Sequence, residues 1–228
     1  MYLYCILASD VAVTPELVLG VDGATVRALD AGPLRAWVSD VGDRPLAPTP
    51  ERVRAHDRVI RAAMAVETPL PARFGQVVAA DEAVRDVIRE RQPRLTAALR
   101  TVRGAVEMTV RVLLDAPLQA REERISAPAT GREYLDRIRE AERVAEAARE
   151  GADFLHARIA NIVATVVRAE VRAPSRSPPQ SLTVAHLVAR ERVSEYRSAL
   201  HALREEDPAM TLLISGPWPP YSFAESAH

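Results

Sequence analysis

The chain has 228 residues, 48% of them apolar, which is enough to bury a sizeable core in one or two domains. Thirty basic against thirty-one acidic residues leave a formal net charge of −1 and exclude a global positive field that would gather nucleic acid or anionic membrane. One cysteine, Cys5, excludes an internal disulfide and any multi-cysteine metal site, and fits a reducing, cytoplasmic compartment.

The basic residues are all arginine and lie along the whole chain, so they mark no single binding face. The opening MYLYCILASD lacks a basic leader, meets Asp10 early and is far shorter than the ~20 residues that cross a bilayer. No other stretch is long enough to span. Tyr2 to Ala8 reads as a buried first strand.

Thr25 to Leu29 and Leu34 to Val41 flank the turn signal Asp30-Ala31-Gly32-Pro33 and predict an antiparallel hairpin. Thr49 as N-cap and Pro50 at the first helical position open an amphipathic helix through Val53, Ile60 and Met64 to about Val66. Arg73 to Ala79 reads as a strand. Asp81 then caps a helix carrying Val84, Ile88, Leu95, Leu99 and Val102, which Pro93 should kink or split. Ala105 to Leu114 closes this part as a strand.

The polar stretch from Leu118 to Thr130 predicts a boundary between an α+β domain over 1–120 and a second over 130–228. Thr130 and Glu133 match a capping box. Tyr134, Ile138, Ala141, Ala145, Ala148, Leu155, Ile159 and Ile162 extend an Ala-rich apolar stripe over about thirty residues, weakened at Gly151. Val166 to Arg172 fits an edge strand, though a helix end also fits, and the Pro/Ser-rich run 173–181 a surface loop. Leu182 to Ala189, apolar on both faces, predicts a central strand, Arg190 to Glu205 a helix, and Met210 to Ser215 a closing strand.

The familiar catalytic signatures are missing. There is no GxxxxGK[ST] loop and no GxGxxG turn, and lysine is absent. His56, His156, His186, His201 and His228 share no i,i+4 spacing, which leaves only a histidine and carboxylate site assembled from distant segments. No GxSxG elbow occurs, and Cys5 sits where a thiol behaves as a small hydrophobe. His56-Asp57-Arg58 reads as a solvated helix face with His56 near its apolar edge. Glu122-Glu123 and Glu205-Glu206 read as surface charge.

Two segments carry chemistry. In PLPARFGQVV, Phe74 is expected in the core and Gly75 permits close approach; Arg73 meets either a carboxylate such as Glu107 or a partner. In GPWPPYSF, prolines stiffen an extended segment so that Trp218, Tyr221 and Phe223 can anchor an internal interface or a partner's surface with little entropy lost.

These segments, in order with YLYCILA, LRAWVSDV, VEMTVRV, GREYL and the terminal LLISGPWPPYSF, resemble the gas vesicle protein F/L family (GvpF/GvpL) over essentially the whole chain. Ala72 and Gln76 depart from it, where that family more often has Met and Thr. The resemblance implies a non-catalytic accessory or minor wall protein of the gas vesicle, without cofactor or metal, that binds the major shell protein (GvpA). It also implies two α+β domains, the first a modified ferredoxin-like domain. Arg73, Phe74 and Gly75 match the first-domain motif, Gly131, Arg132, Tyr134 and Leu135 open the second, and Gly216, Pro217, Trp218, Pro219, Pro220 and Tyr221 form the closing motif. They are expected to serve mostly fold and packing, with the helix from 131 to 163 and the terminal aromatic segment as candidate partner surfaces. Two other readings are a small ferredoxin-like enzyme with a pocket around His56, Glu67 and Arg73, and a nucleic-acid adaptor, which the scarcity of aromatics disfavours.

Overall fold

The computed structural model of the chain describes residues 1–10, 15, 18–42, 46–114, 130–174, 181–207 and 210–224. The chain divides into two compact units, Met1–Glu107 with Pro217–His228, and Met108–Gly216.

In the first unit, β1 (Tyr2–Ala8), β2 (Arg27–Ala31), β3 (Leu34–Ser39) and β4 (Leu70–Pro71) form a sheet of order β2-β3-β1-β4. Central β1 is buried on both faces, as its unbroken apolar run requires. It pairs antiparallel with β3 from Tyr2↔Ser39 to Ala8↔Leu34, with an irregularity between Leu3 and Cys5. Gly32-Pro33 closes the expected hairpin, since Ala31 faces Leu34.

The expected strand from Arg73 to Ala79 does not form. Only Leu70–Pro71 pairs with β1, on the sheet edge, where a proline's missing donor leaves no acceptor of the sheet waiting. The chain then turns at Phe74-Gly75, with Gly75 at φ +86°, and returns to bridge Tyr2 through Val77. Ala72 N–H donating to the Tyr4 carbonyl at 2.8 Å, and Leu3 N–H to that of Gln76 at 2.9 Å, frame this excursion.

Helix α1 (Pro50–Val66) starts as expected, with Thr49 Oγ1 accepting from Arg52 N–H at 3.4 Å. Its buried face of Ala55, His56, Val59, Ile60, Ala63 and Met64 packs on the core of Tyr2, Tyr4, Cys5 and Trp37. Helix α2 (Asp81–Val102) departs from expectation at its start, and it is not split. Ala80 precedes it, and Asp81 lies inside its first turn, paired with Arg27 at 2.5 Å. It also runs through Pro93 to Val102, because burial of Ile88, Leu95 and Leu99 on either side outweighs the one lost backbone donor.

The second sheet has the order β6-β7-β5-β8, from β5 (Ala105–Leu113), β6 (Val167–Arg172), β7 (Ser181–Ala189) and β8 (Thr211–Trp218). As expected, β6 is an edge strand antiparallel to β7, and β7 is central. Helix α3 (Gly131–Val163) is capped by Thr130 Oγ1, which accepts from Glu133 N–H at 3.2 Å. It packs with α4 (Val193–Glu206) and β7. Beyond β8 comes a short helical turn, α5 (Tyr221–Ala224).

This division corrects the one drawn at 1–120 and 130–228. Strand β5 hydrogen-bonds into the second sheet, and the terminal segment from Pro217 returns to the first unit. Strand pairing and the docking of an aromatic tail are settled by complementary surfaces far away in sequence, which a composition break does not reveal. The expected boundary from Leu118 lies, apart from Thr130, outside the described residues, as do Glu122-Glu123 and most of the 173–181 loop. Among the described residues, no helix is long and apolar enough to cross a membrane.

Candidate functional site

An open cleft of about 420 Å³ lies on the first unit. Helix α1 supplies Val53, Arg54 and Asp57 from its outer turns, the bend after β4 supplies Arg73 and Phe74, and the terminal segment supplies Trp218 and Tyr221. Each wall follows from local chemistry. The α1 residues recur at helical spacing, the positive φ of Gly75 turns Phe74 and Arg73 out of strand geometry, and the buried Pro219 and Pro220 lead into Tyr221.

His56 forms the floor and is only 3% exposed, deeper in the apolar side of α1 than the edge position expected of it. Its Nε2–H donates to the Ala72 carbonyl at 3.1 Å, so its Nδ1 accepts from the Tyr2 hydroxyl at 2.9 Å. Tyr2 Oη accepts in turn from Gly75 N–H at 3.1 Å. The imidazole stacks on Tyr4 and meets Phe74 edge-on with centroids 5.8 Å apart. Burial lowers the His56 pKa, partly offset by the Ala72 hydrogen bond, and burial pushes the Tyr2 phenol up to about 12. Both groups stay neutral, and every polar atom of the ring has a structural partner.

Over the Trp218 ring, at 5.0 Å from its centroid, lies the guanidinium of Arg61, whose Nε also donates to Asp57 at 2.6 Å. Glu107 is buried and accepts from Ser222 N–H and Oγ–H at 2.8 and 3.0 Å, tying α5 to the end of the first unit. Tyr221 packs on the same core as Trp37, and burial raises its phenol pKa.

Of the pocket proposed for an enzyme, the cleft holds His56 and Arg73 but not Glu67. The Glu67 carboxylate faces Arg103 at 3.6 Å and accepts from Thr68 N–H at 2.9 Å. Cys5 is fully buried in β1, and burial raises its thiol pKa.

A second cluster joins residues far apart in sequence. Glu170 on β6 accepts from His156 Nε2–H of α3 at 2.5 Å and from His186 Nε2–H of β7 at 3.1 Å. His186 Nδ1 therefore accepts from the buried Tyr196 hydroxyl of α4 at 2.7 Å. Burial works to raise the Glu170 pKa, but the two histidines outweigh it and hold the carboxyl below its ordinary value. Burial lowers that of His186. The nitrogens facing the carboxylate carry protons, and among the described residues no group of three or more His, Cys, Asp or Glu is disposed to hold a metal. Sequence reading left room for a histidine and carboxylate site from distant segments but did not name its members, and Glu170 and His186 meet because they face one another across β6 and β7.

The family-motif positions fall in both units. Arg73, Phe74, Gly75, Trp218 and Tyr221 gather at or beside the first-unit cleft. Gly131, Arg132, Tyr134 and Leu135 form the exposed first turns of α3, where Tyr134 and Leu135 are each 55% exposed. Ile138 is also exposed, and of the expected apolar stripe only Ala145 and Ile159 are buried, joined by Ala152 and Val163, which lay outside it. Phe154, off that stripe, is 68% exposed.

Fold and geometry define a two-sheet α+β protein whose distinctive features, among the described residues, are buried hydrogen-bond networks, an apolar cleft and exposed apolar side chains at the start of α3. The chain belongs to the GvpL/GvpF family of gas vesicle proteins, because the family profile described as gas vesicle synthesis protein GvpL/GvpF matches residues 1–225. It is 32% identical to gas vesicle protein L of Streptomyces sp. over 98% of this chain and 92% of that one, and 31% identical to gas vesicle protein F of the same organism over 98% and 99%. The fold matches the crystal structure of GvpF from Anabaena sp. with a TM-score of 0.80 at 18% identity, covering 98% of this chain and 94% of that one. GvpF from Microcystis aeruginosa matches at 0.75 and 17%, covering 98% of both. The chain accordingly has a role in gas vesicles.

Proposed function

We propose that the chain is an accessory or minor wall protein of gas vesicle assembly that binds the major shell protein GvpA without catalysing a reaction, and that the start of α3 carries the contact. The observation behind this is the exposure of Tyr134, Leu135 and Ile138 along one side of a helix whose first turns bury none of them. A monomeric surface seldom leaves clustered large apolar side chains on a helix in water without a use for them, and an amphipathic shell subunit is the kind of chain that such a face holds. The cleft at Trp218 remains a candidate for a second contact.

The test is co-purification of the tagged chain with co-expressed GvpA. Leu135→Ser and Ile138→Ser are expected to reduce retained GvpA by about ten-fold with an unchanged circular dichroism spectrum, as loss of interface anchors does. Full retention by the double variant would remove α3 from the contact, and no retention by the folded parent chain would overturn the GvpA assignment itself.

A further inference from the structure

We infer that the exposed start of α3 pairs with the same segment of a second copy of this chain, as an antiparallel helix pair whose two-fold axis lies level with Arg139 and Glu140. The pairing itself stands apart from the GvpA contact proposed above. Its consequence, that the dimer withholds this face from GvpA, rests on that reading.

The spacing of the apolar stripe names the kind of neighbour. From Tyr134 through Ile138, Ala141, Ala145 and Ala148 to Ile162, apolar residues recur at alternating steps of four and three. A repeat of about 3.5 residues keeps such a seam turned toward another helix, where knobs pack into holes. Within the chain only the later part of the seam is covered. None of the first fourteen residues of α3 is buried, whereas Ala152 and Ile159 further along are 1% and 0% exposed. A bare helix of that length is marginal in water, so covering its seam stabilises the helix as well as the contact.

Shape selects a second copy and its direction. In the antiparallel pair, Ile138 of each copy meets Ala141 of the other, and Tyr134 meets Ala145. A large side chain then faces a small one at every layer, which lets the two helices approach closely. Sliding the copy one repeat further would drive its Tyr134 against Ala152, which is already covered. Sliding it one repeat back would leave Ala145 facing no seam residue. A parallel pair would lead the copy's helix along the seam into the stretch of α3 that packs on α4 and β7. The flanks accept the antiparallel arrangement. Leu135 lies along the stem of Glu142 on one side, and the stem of Arg137 lies along Val144 on the other. The ion pairs Asp136–Arg139 and Glu140–Arg143, each at 3.5 Å, sit on the far side of the helix.

Sedimentation equilibrium of the purified full chain, without GvpA, tests the pairing. A reversible dimer is expected, with a dissociation constant on the order of 10 µM for so small a contact. Ile138→Ser should weaken it by at least about ten-fold, while Phe154→Ser, exposed on α3 but off the seam, should leave it unchanged. Circular dichroism checks that each variant is folded. Direction is read from a mixture of Leu135→Cys and Glu142→Cys chains treated with a short bismaleimide, from which the fully buried Cys5 is shielded. The product joining the two variants should exceed either self-product by at least about five-fold, because only antiparallel pairing brings these positions level. A monomer at every concentration up to about 0.5 mM would overturn the pairing. So would undiminished association of Ile138→Ser, equal loss with Phe154→Ser, or a predominance of self-products. The cross-linked dimer should retain GvpA at least about ten-fold less than the untreated chain, and equal retention would overturn the withholding. Because sedimentation and cross-linking contain no GvpA, failure of the pairing and failure of the GvpA reading are seen separately.

Discussion

His56 Nε2 lies 3.1 Å from the carbonyl oxygen of Ala72, and because a carbonyl only accepts, the imidazole proton sits on that nitrogen. This one contact converts the most enzyme-like residue of the sequence into a strut between α1 and the segment after β4. It also sets a pH dependence. Burial, the larger cause for both, lowers the pKa of His56 and of His186 below the roughly 6.5 of an unfolded histidine. The unfolded chain then binds more protons than the folded one below that pH, so stability is complete above about 6.5 and declines as pH falls toward the folded values. Glu170, also lowered, extends the decline below about 4.5. Urea midpoints measured between pH 7.5 and 4 should fall steadily, and His56→Leu should flatten part of the slope. A midpoint that rises on acidification would contradict the buried neutral assignment.

Replacing Glu170 by Ala should remove the acceptor of two donors at once. His156 is partly exposed and can turn to water, whereas His186 is fully buried, so the loss falls on its Nε2–H, at a cost of about 1–3 kcal/mol. Amide exchange on β6 and β7 should accelerate, while exchange on β1 and β3 stays as it was.

Trp37 is buried on β3, and its indole Nε1–H is the only buried side-chain polar atom without a partner among the described residues. Trp37→Phe removes that unpaired donor along with some volume, and the opposing effects should leave a net change within about 1 kcal/mol. Trp37→Ala should cost about 3–5 kcal/mol by opening a cavity. Chemical denaturation of the two variants distinguishes these values readily.

Gly75 and Gly151 should respond to alanine with opposite signs. Gly75 has φ +86°, so a Cβ is disfavoured although nothing lies within 4 Å of it, and Gly75→Ala should destabilise by about 1–2 kcal/mol. Gly151 sits inside α3 with open space around its Cα, so Gly151→Ala should stabilise by about 0.5–1 kcal/mol through helix propensity. Thermal melts of both variants check the pair.

Elements defined by local chemistry were legible in the sequence. Thr49 and Pro50 start α1, Thr130 starts α3, and the alternation around Gly32-Pro33 builds the β2–β3 hairpin, because caps and turns act within a few residues. The bend at Phe74-Gly75 was not legible, since its residues also suit a strand and only hydrogen bonds to β1 hold the turn. Of the kink or split expected at Pro93, the split does not occur, because packing on either side of the proline outweighs the lost donor. Of the candidate site, Arg73, Phe74, Trp218 and Tyr221 were singled out from their segments, but Glu67 was wrongly grouped with His56 and Arg73.

The sequence by itself determined most element types, though not the bend after β4, together with the starts of α1 and α3, the central place of β7 and the membership of the gas vesicle family. Periodicity, capping and motif order are properties of neighbouring residues, and they survive without coordinates. Only the tertiary structure decided that β5 leaves the first sheet for the second, that the closing aromatic segment returns to the first unit, and that His156, Glu170, His186 and Tyr196 meet. Those outcomes depend on which distant surfaces bury one another and satisfy one another's hydrogen bonds, and no local pattern carries that information.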